Sequence, residues 1–222
     1  MLIVFEGISG SGKRTVMEMV RQQLVAQGRW PLAISFPGDG STMASNLLQI
    51  ELGRPGQATL LPKVAATMFA LDRFERLPDL LTQLSQADCV LCNGYVPSNI
   101  AYQSARVPVE QRRALCDWIQ NLEYRVLGLP VPDVVISLDV PPDLARQRLA
   151  KQGHRIAVYD TDEATVAASR SVFLSGSFRC GQWYDVPTFE RINGQTVDIA
   201  ATTIAQTVTE RIVNYLGVSD HG

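Results

Sequence analysis

The chain has 222 residues, which is enough for one well-buried core and short for two domains. Its 20 basic and 22 acidic side chains leave a formal net charge of −2, which argues against a surface built for a nucleic-acid backbone or anionic lipid and suits a small charged ligand. No stretch approaches the ~20 apolar residues of a membrane span, the opening MLIVFEG is too short for a signal peptide, and four scattered cysteines make no disulfide scaffold. A cytoplasmic protein with one domain over 1–217 and a disordered tail over 218–222 is expected.

In chain order, Leu2 to Glu6 reads as a strand, followed by a helix from Gly12 to Gln27 that Gly28 stops. Leu32 to Phe36 is the next strand, and two helices follow, Thr42 to Leu52 with Thr42 as cap and Pro62 to Ser85. A strand over Cys89 to Cys92 precedes a helix from Val109 to Leu127; a strand over Val134 to Val140 precedes a helix from Pro142 to Gln152. A helix from Asp162 to Phe173, a strand near Phe189 to Ile192 and a helix from Ile199 to Leu216 complete the pattern.

This alternation predicts an α/β fold, and the nearly continuous apolar runs suit strands buried on both faces of a parallel sheet. Cys89 and Cys92 form a CxxC, but residues three apart on a strand point to opposite faces, so they read as core thiols. His154 and His221 are too far apart to suggest a metal pair, and Ser175 to Asp185 receives no role.

The first loop, in FEGISGSGKRTVMEMV, places Gly7, Gly12 and Lys13 at GxxxxGK spacing between a strand and a helix. Such a loop curls so that the amides of Gly7, Ser9, Gly10, Ser11 and Gly12 converge on a phosphate, with the helix dipole behind them and Lys13 as a mobile cation. The next residue should carry a hydroxyl for Mg²⁺, and it is Arg14, which cannot ligate a cation. Arg14 is either a solvated helix residue or an extra charge on the nucleotide phosphates. Thr15, one residue late, is rotated by ~100°.

With SFPGDG (35–40), MFALDR (68–73), CNGYVPSNIAYQSAR (92–106) and PDVVISLDVPPDLARQRLAKQGH (132–154), this loop resembles thymidylate kinase, in the branch whose cradle reads Gly-Lys-Arg-Thr. The resemblance implies a P-loop nucleoside monophosphate kinase fold with a five-stranded parallel sheet flanked by helices, and a homodimer. It implies ATP as phosphoryl donor with Mg²⁺, dTMP as acceptor, and Lys13 and Arg14 as catalytic. Phe69 matches the residue that stacks on thymine, Arg73 the one that binds its carbonyl edge, and Asn99 and Tyr102 those that read the base and crowd the 2′ position. Arg148 matches a residue on the donor adenine. The stretch 153–160 lies where the family has its lid, with Tyr159 beside the acceptor and Asp160 as a candidate metal ligand.

The departures concern charge. Ser9 stands for an aspartate, Asn93 and Gly94 for an Asp-Arg pair, and Gly38 with Asp39 for an arginine near the acceptor phosphate. Two readings follow. One is a thymidylate kinase-like phosphotransferase, slow or retuned; the other is a nucleotide-binding sensor or partner subunit without turnover. The surviving lysine cradle and base pocket favour the first.

Overall fold

The structure, a computed structural model, describes residues 1–53, 60–151, 158–176, 178–192 and 195–219. Strands β1 (Leu2–Glu6), β2 (Pro31–Ser35), β3 (Cys89–Asn93), β4 (Val134–Asp139) and β5 (Gln182–Pro187) pair in parallel, in the order β2-β3-β1-β4-β5. The register sets Phe5 beside Asn93 on one side and Glu6 beside Ser137 on the other. The carboxyl ends of β1, β3 and β4 therefore open on one crevice, the usual ligand position of such a sheet.

Helices α1 (Lys13–Ala26) and α9 (Ala201–Ser219) cover one face. On α1, Val16, Val20 and Leu24 recur at helical spacing and pack with Met17 against Ile3, Phe5 and Leu91. The other face, carrying Leu2, Val4, Val90 and Cys92, is covered by α4 (Leu77–Gln86), α5 (Val96–Ala105), α6 (Val109–Gln120), α7 (Pro142–Lys151) and α8 (Glu163–Ser175). Cys89 belongs to the first layer and Cys92 to the second, both as buried free thiols, as the strand period requires.

Three sequence expectations are corrected, and one helix was not anticipated. The fifth strand of the sheet is β5, which begins within the stretch that received no role and runs two residues past it, whereas Phe189–Ile192 (β6) pairs antiparallel with Gln195–Asp198 (β7) in a separate hairpin. In β5, QWYDVP, only Val186 is buried, so no continuous apolar run announces it. The long helix over 62–85 is two, α3 (Pro62–Glu75) and α4, because Pro78 cannot donate to the carbonyl of Phe74.

Helix α5 had no periodicity to read: Val96, Asn99, Ile100, Gln103 and Ser104 are all buried, leaving no polar face. Lastly, the helix over 109–127 ends at Gln120 and continues as a π-helical turn over Asn121–Val126. Helix α9 runs through Ser219, two residues into the expected tail; 220–222, and 152–157 with His154, lie outside the described residues.

The entry to β5 turns at Gly181, whose φ is +65° and where a Cβ would sit 2.1 Å from the Pro132 carbonyl oxygen. Gly181→Ala is expected to cost at least ~2 kcal/mol in urea unfolding. A loss under ~0.5 kcal/mol would mean that the turn relaxes and β5 does not depend on it.

Candidate active site

The loop after β1 is held by contact with neighbouring backbone. Gly7 has φ +132° and a Cβ there would lie 2.4 Å from the Leu138 oxygen; Gly10 has φ +80° and its Cβ would lie 2.4 Å from the Ala145 oxygen. Only glycine satisfies both the conformation and the space. From Gly12, the N-terminal flank of α1, Lys13 folds back, its Nζ donating to the carbonyls of Gly7 (2.7 Å) and Ile8 (3.0 Å). The ammonium is thus stored over the loop that a phosphate would enter.

A cavity of about 200 Å³ opens beside this lysine. Its walls include Ser9, Lys13 and Asp160 at one end and Phe69, Arg73, Asn99 and Tyr159 at the other, with Tyr102 and Asn93 also lining it. The rings of Phe69 and Tyr159 face each other at 6.4 Å and 50°. Arg73, 2 % exposed, donates from Nε and Nη2 to Glu123 at 2.5 and 2.7 Å. Asn99 donates from Nδ2 to the Ala66 carbonyl (3.0 Å) and to Glu123 (2.7 Å). Five residues expected around an acceptor, Phe69, Arg73, Asn99, Tyr102 and Tyr159, are therefore brought together by α3, α5 and the 3₁₀ turn Val158–Asp160.

Tyr102 links the two ends. Its hydroxyl accepts from the Ser9 amide at 2.9 Å, lies 3.2 Å from the Ser9 hydroxyl, and donates to Asp160 Oδ1 at 3.2 Å. Asp160 thus places a carboxylate on the same hydroxyl that Ser9 contacts, with its pKa raised by burial against the opposing pull of Ser9, Lys13 and Tyr102. Burial also lowers the Lys13 pKa, with Glu6 and Asp160 acting the other way. Asn93 ends β3 with a buried Oδ1 that has no partner among the described residues. Gly94 has φ +72° and a Cβ there would meet the Phe36 oxygen at 2.9 Å, which disfavours a side chain at this position.

On the other side of the loop, Ser11, Gly12, Thr15 and Arg148 line a second recess of about 430 Å³ with Asp198 and Ile199. Arg148 is not a free wall residue. It donates to the Gly10 and Ser11 carbonyls at 3.2 Å each and to the Thr188 carbonyl at 2.8 Å, and pairs with Asp198 at 2.5 Å. Arg14 lies exposed on α1 and makes no ion pair among the described residues. Of the residues expected to bind a donor, the structure gathers the loop, Thr15 and Arg148, and leaves Arg14 facing solvent.

Four neighbours of the site went unread in the sequence. Glu123 left no local signal. Arg76, between α3 and α4, lies over the Phe36 ring at 4.9 Å, and its Nη1 would be 3.2 Å from a Cβ at Gly38, so a cation stands beside the position where one seemed missing. Asp72 accepts from the Gly38 amide at 2.9 Å. Glu6, the one charge in the run LIVFE, did carry a signal. Its carboxyl is fully buried, accepts from the Tyr95 amide at 2.8 Å and from the Ser98 hydroxyl, and is pushed from 4.5 to about 7 by burial, which outweighs the pull of Ser98, Lys13 and Tyr95.

The sign of that shift is testable. Between pH 4.5 and about 7 an unfolded chain has lost the Glu6 proton while the folded one retains it, so this group lowers stability as pH rises through the window. The fall amounts to ~3 kcal/mol at most. Glu6→Gln should remove it, so that melting temperature against pH declines less steeply than in the parent between 5 and 8. Parallel curves would show that Glu6 ionises normally.

The family pattern described as thymidylate kinase matches residues 5–174. The thymidylate kinase of Mycobacterium tuberculosis H37Rv is 34% identical over 156 residues, spanning 70% of this chain and 73% of that protein. That of Akkermansia muciniphila is 35% identical over 176 residues, 78% of each. The solved structure of thymidylate kinase from Candida albicans superposes with a TM-score of 0.72 at 21% identity, over 96% of this chain and 91% of that one, a likeness of fold.

Proposed function

The chain belongs to the thymidylate kinase family, and from that premise we propose that it is an enzyme transferring the γ-phosphoryl group of ATP to dTMP. The observation that carries the reading is one cavity holding a glycine-loop lysine at one end and an aromatic, hydrogen-bonding pocket at the other. A monophosphate whose base lies against Phe69 would bring its phosphate toward Lys13. The recess of Thr15 and Arg148 takes the donor from the far side of the same loop.

Phosphoryl transfer is mainly positioning and electrostatic stabilisation. Lys13 leaves its two carbonyls for the phosphates, and Arg14, one residue on, adds a second cation from the surface of α1. Phe69 stacks on the base with the Tyr159 ring packed beside it, Arg73 and Asn99 meet its polar edge, and the Tyr102 hydroxyl, fixed by Ser9 and Asp160, crowds the 2′ position. Mg²⁺, which prefers hard oxygens and keeps several waters and phosphates, suits the Asp160 carboxylate and the unpartnered Asn93 oxygen. When bound it neutralises phosphate charge. Among the described residues no group of three or more His, Cys, Asp or Glu is placed to hold a metal, so ATP and water are its main ligands in this reading.

A second copy is the partner we infer. Met43, Leu47 and Ile50 form an exposed stripe on α2 (Met43–Leu52), and Val64, Leu71 and Phe74 another on α3, which packs beside it. We take the chain as a single cytoplasmic domain; the expected lid at 153–160 lies largely outside the described residues, and no described helix is long and apolar enough to cross a membrane. The binding-protein reading keeps the same pockets and is not favoured by the family assignment.

ADP release with ATP, Mg²⁺ and dTMP decides between them. Turnover should depend on dTMP, stop on chelation of the metal, and fall by ~10³-fold or more in Lys13→Ala while dTMP still binds. Absence of dTMP-dependent release in the parent would leave only binding. Asn93→Asp returns a carboxylate to the metal side without the backbone strain at Gly94. It should reduce the Mg²⁺ concentration needed for half-maximal rate by several-fold, on the order of one added carboxylate ligand; an unchanged requirement would place Asn93 away from the metal.

A further inference from the structure

We propose that Glu123, which lines neither recess, is the positioning residue that sets which pyrimidine the cavity accepts; the inference rests on the acceptor reading above. Glu123 comes from the π-helical turn after α6, a wider turn of the kind that often occurs at functional sites, and its side chain is fully buried. One carboxylate orders both polar residues of the base pocket. Oε2 takes Nε of Arg73, and Oε1 takes Nη2 of Arg73 together with Nδ2 of Asn99.

The consequence for Asn99 is an orientation. Its two amide hydrogens go to the Glu123 carboxylate and the Ala66 carbonyl, so turning the amide over would press Oδ1 against two acceptor oxygens. Oδ1 is therefore the atom left over, and it is buried without a partner among the described residues, in a side chain that lines the cavity. Arg73 is constrained likewise: Nε and Nη2 are spent on Glu123, and Nη1 makes no hydrogen bond among the described residues. The pocket thus offers one fixed acceptor and one fixed donor.

A pyrimidine with a ring N3–H beside a carbonyl oxygen, as in thymine or uracil, matches both. Cytosine presents a bare N3 beside an amino group and opposes both, leaving buried groups unpaired. Without Glu123 the Asn99 amide is free to present either end. The specificity then resides in a group that never touches the base.

Equilibrium binding by calorimetry tests this without requiring turnover. Dissociation constants for dTMP, dCMP and ATP are compared in the parent, Glu123→Gln and Glu123→Asp. The parent should prefer dTMP over dCMP by about tenfold or more, and Glu123→Gln, whose amide can pair with either end of Asn99, should reduce that ratio to within about threefold through weaker dTMP binding. ATP affinity should change by less than about twofold.

Should Glu123→Gln show no cooperative melting, Glu123→Asp carries the test. It keeps the charge but is one methylene too short to hold Arg73 and Asn99 together, and it should reduce the ratio at least about threefold. A folded variant with the parental ratio, an equal loss for both pyrimidines, or a parent without preference would overturn the proposal. A parent that binds dTMP selectively but releases no ADP would end the phosphotransferase reading and leave this inference standing.

Discussion

The contact of two glycines with neighbouring carbonyls determines where everything else in the site lies. Gly7 presses on Leu138 at the end of β4 and Gly10 on Ala145 in α7, so the loop after β1 cannot stand away from the sheet. Because it is drawn in, Lys13 can reach back over it, Arg148 can reach its outer carbonyls, and the two recesses are separated by a single turn of chain. A methyl group at either glycine would push the loop outward by an ångström or more, the scale on which phosphoryl transfer loses its alignment.

The same compactness buries charge. Glu6, Lys13, Arg73 and Glu123 lie where ionised groups are costly unless paired, and each is paired or hydrogen-bonded. Hydrophobic replacements of similar volume would often be as stable, so such networks are weak evidence for stability. Here they fix directions: the Glu6 carboxylate below the loop, the Arg73 guanidinium beside the base pocket, and the Asn99 amide in one of its two settings. Because burial raises the Glu6 pKa, the charge beneath the lysine is also tied to pH.

The departures in charge look different in three dimensions. Ser9 brings no carboxylate, but it is not remote from one: Asp160, from a turn about 150 residues away, bonds to the same Tyr102 hydroxyl. Gly38 lost a cation, and the Arg76 guanidinium lies next to the space its side chain would fill. Charge at a site is a property of the volume it occupies and not of one strand end, so a missing letter in a motif can be made good from elsewhere in the chain. At Asn93 and Gly94 no described residue does so, and the orphan oxygen of Asn93 marks the place.

Short-range order made much of this legible. Buried strands announce themselves by continuous apolar runs, and β1 to β4 fall within a residue of their expected bounds; the glycine spacing and Lys13 located the phosphate loop; Phe69, Arg73, Asn99 and Tyr102 came from their order along the chain. What failed was whatever depends on neighbours. Strand β5 is mostly unburied and has no apolar run to mark it, and α5 has no exposed face to give it a period. Glu123 and Arg76 look like ordinary surface charges until α6 and α3 are packed. Composition and local spacing determined the fold class and where phosphate binds, because those follow from backbone conformation and periodicity. Which charges face the substrate was decided only by tertiary structure, because a side chain's partners are set by the elements that close around it.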